Sequence, residues 1–282
     1  MYRRFCTWDA TDAVAIGPVF NKIHDWDIHI QDISILYWKP ASDISIDEAM
    51  VHFTGKSSDT VHIPSKPIPV GYKAWVLADS GYFLRWAFHS KGVGPIGYNS
   101  EDYPTLAPTQ GIVAHLLTQI PCPPSKLHGY HVYMDNLFTT PELLQLLCDR
   151  GITATGTTRA GRVDSCQLAD IKATETKKDS IPWGTLYARQ HKEFDIMQFG
   201  FKDNAFVLLL STQFDGQEDP EMKLHHQPAK TSTSAKTAQV PFEGQPEKVL
   251  PIPQIIDLYN CHMNGVDIGN QLHAGFQYER RI

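Results

Sequence analysis

Two short apolar runs constrain what this chain can fold into more than any other feature. Lys73-Ala74-Trp75-Val76-Leu77-Ala78 and Tyr130-His131-Val132-Tyr133-Met134 each end on an acid, Asp79 and Asp135. Runs of this length and density read as strands covered on both faces. Asp79-Ser80-Gly81 turns the chain, and Tyr82 to Phe88 alternates as the hairpin partner of the first strand. Ile112 to Ile120 reads as a short helix stopped by Pro121. The next helix has the clearest signals. Thr139 is its expected N-cap, Pro141 lies in the first turn, and Glu142 is the capping-box partner. Leu143, Leu144, Leu146 and Leu147 form its apolar face, and Gly151 ends it. Ile152 to Thr157 is a β-branched strand. The order of strand, hairpin strand, helix, strand, helix, strand predicts an α/β fold with a sheet of mixed direction.

The flanks read differently. Residues 1–50 suggest helix and loop, with Ala10 to Ile23 loosely amphipathic and Asp47-Glu48 as a helix start. Residues 89–108 are rich in Gly and Pro and read as loop. Past Arg162 the chain turns polar over 163–182. Three strand candidates follow at Gly184–Arg189, Phe194–Phe199 and Ala205–Thr212, the pattern of a small antiparallel insertion. Residues 227–239 are low in complexity and read as a flexible loop. Helical signal resumes at Gln254–Tyr259 and Val266–Ala274. The expected organisation is a flanking region 1–70, a first part of an α/β core 71–161, an insertion 162–250 with a flexible loop 222–249, and a last helical part 251–282.

Composition removes several classes. Of 282 residues, 42% are hydrophobic and 20% charged, which suits a chain that buries a core. The formal net charge is −6, and acids outnumber bases in both halves, so nucleic-acid binding has to rest on local patches. The longest strongly apolar run, Ala205 to Leu210, is far short of a membrane span. Asp9 and Asp12 interrupt what would be the apolar region of a signal peptide. Cys6, Cys122, Cys148, Cys166 and Cys261 are scattered and never spaced C-x-x-C, which argues against a disulfide scaffold or a zinc ribbon. The expectation is a soluble intracellular protein without a membrane partner.

Asp79 and Asp135 each close a strand, where open α/β sheets place ligand sites. An aspartate after a strand is also an ordinary turn former. A third acid, Asp267, begins a helix in which Asn270 and Gln271 share its face at i+3 and i+4. Three carboxylates from two strand ends and a helix suit a hard divalent cation. Two such ions would clamp the attacking and leaving oxygens of a phosphoryl transfer. Spacing alone leaves their convergence open.

Tyr133-Met134-Asp135-Asn136-Leu137-Phe138-Thr139-Thr140, followed by Gly151 to Arg159, resembles the signature of piggyBac-type transposases. Ile46-Asp47-Glu48-Ala49-Met50 with Gly55-Lys56-Ser57-Ser58, Lys66-Pro67 with Gly71-Tyr72-Lys73, Asp79 with Gly81-Tyr82, and Tyr259-Asn260 through Gly265-Val266-Asp267 fall in family order. The resemblance covers nearly the whole chain. It implies a DDE transposase with a ribonuclease H-like α/β core, interrupted by a largely β insertion between the second and third acids. It also implies two Mg²⁺ or Mn²⁺ ions as cofactor, held by Asp79, Asp135 and Asp267 with help from Asn270. Partners would be DNA (transposon ends and a TTAA target) and a second copy in a homodimer, and the location would be the nucleus.

Departures from the family motivate a second expectation. Members often carry another acid three residues after the third catalytic one, and here the position is Asn270. The family continues its last helix past the position of Ile282, so the chain reads as truncated. The alternative to an active transposase is therefore a non-catalytic transposon-derived module that binds DNA or protein.

Other signals carry less. Gly92-Val93-Gly94-Pro95-Ile96-Gly97 fits G-x-G-x-x-G but lacks the following helix, so no small-molecule cofactor is expected there. His225-His226 and His262 lack a second ligand pair at zinc spacing. Arg159, Arg162, Lys172, Lys177 and Lys178 form the best basic cluster. It reads equally as a contact for DNA phosphates or as a solvated loop.

Overall fold

Ile44-Ser45-Ile46 and the acidic pair after it form one continuous strand, β1 (Asp43–His52), rather than a helix start. Two-residue alternation runs straight through the acids. Ile44, Ile46, Glu48 and Met50 face one side, and Ser45, Asp47 and Ala49 face the other. In the computed structural model, the described residues are 19–64, 66–121, 129–178, 181–228 and 238–275. Most of the amphipathic stretch expected at Ala10–Ile23 lies outside them. The chain divides into two units, one reaching to Tyr130 and resuming at His262, the other His131–Cys261.

The first unit opens with helix α1 (His24–Tyr37) ahead of β1. A short β2 (Val61–His62) follows, then β3 (Val70–Asp79), β4 (Tyr82–Ser90), β5 (Gly94–Pro95) and helix α2 (Pro108–Thr118). Strands β1, β3 and β4 run antiparallel, with Ser45 opposite Ala78, Asp47 opposite Val76 and Ala49 opposite Ala74. α2 buries Ile112, Val113 and Leu116 and packs against β3 and β4.

In the second unit, β6 (His131–Met134) and β7 (Thr153–Thr158) are parallel and joined by α3 (Pro141–Asp149). Helix α4 (Cys166–Lys178) precedes β8 (Leu186–Gln190), β9 (Met197–Lys202) and β10 (Phe206–Ser211). These last strands do not make a separate sheet. β10 pairs antiparallel with β7, from Leu208 opposite Thr158 to Ser211 opposite Thr155, and β9 and β8 continue outward. The segment expected to be an insertion thus extends the sheet it interrupts. β11 (Glu221–His226) and β12 (Glu247–Ile252) pair antiparallel, so the two ends of the range expected as flexible loop belong to a two-stranded ribbon. Residues 229–237 of that range are outside the described residues. α5 (Gln254–His262) adds Ile255 and Ile256 to a core of Phe199, Phe201, Leu209, Phe214 and Ile252.

Helix α6 (Gly265–Gly275) returns to the first unit. Its Val266 packs with Ala49, Ala74, Val76 and Ala78, and Phe83, Trp86 and Phe88 border that cluster. The approach is close. A Cβ on Gly265 would lie 2.5 Å from Ser45 Oγ, so a side chain there would have to turn that hydroxyl aside.

α4 lies in the stretch that composition marks as polar. Apolar packing and an ion pair help hold it: Leu168 packs with Phe206 and Leu208, and buried Glu175 meets buried Lys202 at 3.1 Å. Glu175 also accepts from Ile181 N. Removing one member of a buried pair strands the other charge away from water. Glu175→Ala should lower unfolding free energy by about 3 kcal/mol, measured by urea denaturation; a change near zero would show that water replaces the carboxylate.

Candidate functional site

Asp79 ends β3 at a two-residue turn in which Ser80 (φ 49°) and Gly81 (φ 98°) are both left-handed. Its Oδ2 accepts from Trp38 Nε1 at 2.8 Å and from Ala41 N at 2.9 Å, and the residue is 3% exposed. Trp38 stacks on Tyr82 at 4.7 Å. The carboxylate therefore ties the segment between α1 and β1 to the hairpin. Alternation along β3 turns Asp79 away from the face that carries Ala78 and Val76.

That face belongs to α6. Asp267 sits in the first turn of α6 and is exposed, and Asn270, half-buried, follows one turn later. Asp47 lies on the same face of β1, between Ser45, which Gly265 nearly touches, and Ala49, which packs with Val266. Asp47 is half-buried, and its Oδ1 accepts from Glu48 N at 2.7 Å. Within the first unit, α6 starts against both β1 and the turn after Asp79: a Cβ on Gly265 would lie 2.5 Å from Ser45 Oγ, 3.5 Å from Ser80 N and 3.7 Å from Ala78 O. Glu48 faces away, bound to Lys73 at 2.5 Å and Lys66 at 3.6 Å, with Lys73 also over the Trp75 ring.

In the second unit, Asp135 follows β6 and organises a tight turn. Its Oδ1 accepts from Leu137 N at 2.8 Å, and its carbonyl accepts from Phe138 N, Thr139 N and Thr139 Oγ1. Because Thr139 spends its hydroxyl there, the N-cap of α3 moves one residue on. Thr140 Oγ1 accepts from Leu143 N at 3.2 Å, and Pro141 becomes the first helical residue. Arg162 Nη1 donates to the carbonyls of Asn136 at 2.8 Å and Thr139 at 2.7 Å. Burial, reinforced by Arg159, holds the Arg162 guanidinium below its ordinary pKa, while Glu142 and Asp135 act the other way. Tyr259 Oη, from α5, donates to Met134 O at 3.3 Å, fixing the strand end just before Asp135.

The basic cluster divides. Arg162 clamps the Asp135 turn, and Lys172 Nζ donates to Phe206 O, with burial lowering its ammonium pKa. Arg159 is exposed at the start of a short 3-10 helix, Ala160–Arg162. Lys177 and Lys178 lie in α4, and their side chains are outside the described residues. Among the described residues, no three His, Cys, Asp or Glu side chains gather closely enough to hold a metal ion. No described helix is long and apolar enough to cross a membrane.

Gly156 of β7 makes the turn possible. A Cβ there would lie 2.0 Å from Thr139 Oγ1 and 2.7 Å from Met134 O, closer than atoms pack. Gly156→Ala should cost about 1–3 kcal/mol of stability, the range for overpacking a well-filled site. Urea unfolding within about 0.5 kcal/mol of wild type, the scatter of neutral surface changes, would mean that the turn yields without strain.

Comparison with known proteins agrees with this architecture. The family described as Transposase IS4 matches residues 23–282, and the chain belongs to it. Within that class it is a piggyBac-type chain. It is 28% identical over 178 residues to human PiggyBac transposable element-derived protein 3, covering 62% of this chain and 29% of that protein. It is 26% identical over 238 residues to human PiggyBac transposable element-derived protein 2, covering 84% of this chain and 36% of that protein. The chain thus spans about a third of the length of these relatives. A solved piggyBac transposase, in a synaptic complex with hairpin DNA, superposes with a TM-score of 0.61 at 22% identity, covering 91% of this chain and 45% of that one. The mixed sheet with flanking helices is the α/β architecture that the sequence resemblance implies, consistent with a ribonuclease H-like core.

Proposed function

We propose that this chain is the catalytic core of a DNA transposase that cuts and rejoins strands by metal-assisted phosphoryl transfer. The observation that carries the reading is the start of α6, just ahead of Asp267, seated against β1 and the turn that follows Asp79. Asp135 is the carboxylate of the second unit, at the end of β6. Carboxylate oxygens suit Mg²⁺ or Mn²⁺. Bound, two such ions stabilise the attacking and leaving oxygens of an in-line displacement. In this reading Asp79 keeps the role that the sequence resemblance gives it, with Trp38 Nε1 and Ala41 N holding its carboxylate through Oδ2. Arg162 acts as a positioning residue, holding the turn that presents Asp135. The solved relative's hairpin DNA supports DNA ends as substrate. The TTAA target and the nuclear location rest on the family resemblance.

A second reading, a non-catalytic module that binds DNA or protein, draws on Asn270 in place of an acid and on the internal engagement of Arg162 and Lys172. Mn²⁺ titration by calorimetry separates the two. Asp79→Asn, Asp135→Asn and Asp267→Asn should each weaken binding at least about tenfold, no less than the loss of an outer-shell partner costs, with the circular dichroism unchanged. Asp47→Asn should leave the affinity near wild type. Binding kept in a folded Asp79→Asn but lost in Asp47→Asn would move the ligand role to Asp47. A folded wild type that binds no Mn²⁺ would favour the non-catalytic module.

A further inference from the structure

Asp79 is a buried carboxylate, 3% exposed, whose two oxygens are treated unequally. Oδ2 accepts from Trp38 Nε1 at 2.8 Å and from Ala41 N at 2.9 Å. Among the described residues, no donor meets Oδ1 and no Lys, Arg or His pairs with the group. An ionised carboxylate offers about two lone pairs on each oxygen. Both of those on Oδ2 are occupied, and those on Oδ1 are left over. Buried charges are paired or bound to metals. Oδ1 is the atom through which Asp79 can meet a cation.

The indole donor is built in rather than incidental. Trp38 N donates to Ser34 O at 3.0 Å, at the end of α1. The Trp38 ring lies on Tyr82 with centroids 4.7 Å apart and planes 12° from parallel. Tyr82 Oη donates to the same Ser34 carbonyl at 3.3 Å, and Tyr82 stands opposite Asp79 across the β3–β4 turn. The indole is thus fixed from the helix and from the hairpin, with its N–H aimed at one oxygen. Cations differ in what they ask of a carboxylate. Ca²⁺ gathers about six to eight oxygens and takes carboxylates by one oxygen or by both. Mg²⁺ keeps a smaller, near-octahedral shell with several waters, and Mn²⁺ also takes octahedral oxygen sites.

We propose that Trp38 is a positioning residue that selects the cation. By occupying Oδ2 it confines Asp79 to ligation through Oδ1 alone, which favours Mg²⁺ or Mn²⁺ over Ca²⁺. The proposal rests on the reading of Asp79 as a metal ligand, and adds to it a residue outside the acids and a choice among ions.

Calorimetric titration of the full 282-residue chain with Mn²⁺ and, separately, with Ca²⁺ tests it. Wild type should bind Mn²⁺ more tightly, a comparison that needs no variant. Trp38→Phe keeps a ring on Tyr82 and removes the N–H. Trp38 is 39% exposed, so water reaches the freed lone pair and yields it to an ion. Mn²⁺ should weaken about tenfold in this variant, the lower end of what an outer-shell partner contributes. Ca²⁺ can take the second oxygen and should stay near its wild-type affinity, so the ratio of the two shifts about tenfold. A turn that merely loosens would weaken both ions alike and leave the ratio in place. Tyr82→Phe keeps the stack and the indole N–H, and should keep the wild-type ratio. Circular dichroism and melting temperature check that each variant folds. An unchanged ratio in a folded Trp38→Phe, an equal shift in Tyr82→Phe, or a wild type that takes Ca²⁺ as tightly as Mn²⁺ would overturn the proposal and leave the metal reading standing. A folded wild type that binds neither ion would overturn both.

Discussion

The seat of Val266 among Ala49, Ala74, Val76 and Ala78 is the contact on which the placement of α6 in the first unit depends. Gly265, just before it, brings bare backbone beside Ser45 Oγ, Ser80 N and Ala78 O. Asp267 follows directly on this contact. Gly156 plays the matching part in the second unit, where Thr139 and Met134 press against the bare backbone of β7. In both units an acid is positioned by a glycine that permits crowding, so the site depends on packing before it depends on charge.

Much of the fold was legible in the sequence because the strands around Trp75 and Val132 are short, dense and apolar, and because α3 carries explicit start and stop residues. The resemblance to piggyBac-type transposases was legible in the run from Tyr133 to Arg159. Three features were harder to read, each for a physical reason. β1 looked like a helix start because Asp47 and Glu48 suit a first helical turn, yet the alternation around them belongs to a strand. α4 gave no helix signal in its polar stretch because it is held by contacts such as Leu168 and a distant ion partner, Lys202, which no local pattern reveals. The N-cap of α3 moved from Thr139 to Thr140 because a tertiary demand, the carbonyl of Asp135, took the first hydroxyl.

The candidate site was legible in part. Asp135 and Asp267 stand where strand end and helix start put them. Asp79 closes its apolar strand as the sequence leads one to expect, while the indole that holds its Oδ2, Trp38, lies 41 positions earlier and leaves no mark near it. Hydrogen bonds across such distances orient a carboxylate, and a window of residues cannot contain them. The basic cluster teaches the same lesson, since Arg162 and Lys172 find carbonyl partners inside the fold.

The Asp79 tie reaches further than its own turn. Through Ala41 N it anchors the chain just before β1 begins, and β1 carries Asp47. The hairpin is therefore a mechanical stop that sets how far β1 can slide against β3. A one-residue slip would exchange the two faces of the strand and turn Asp47 away from α6. A change seen in an Asp79 variant is then ambiguous on its own, because a vanished carboxylate and a strand out of register would look alike.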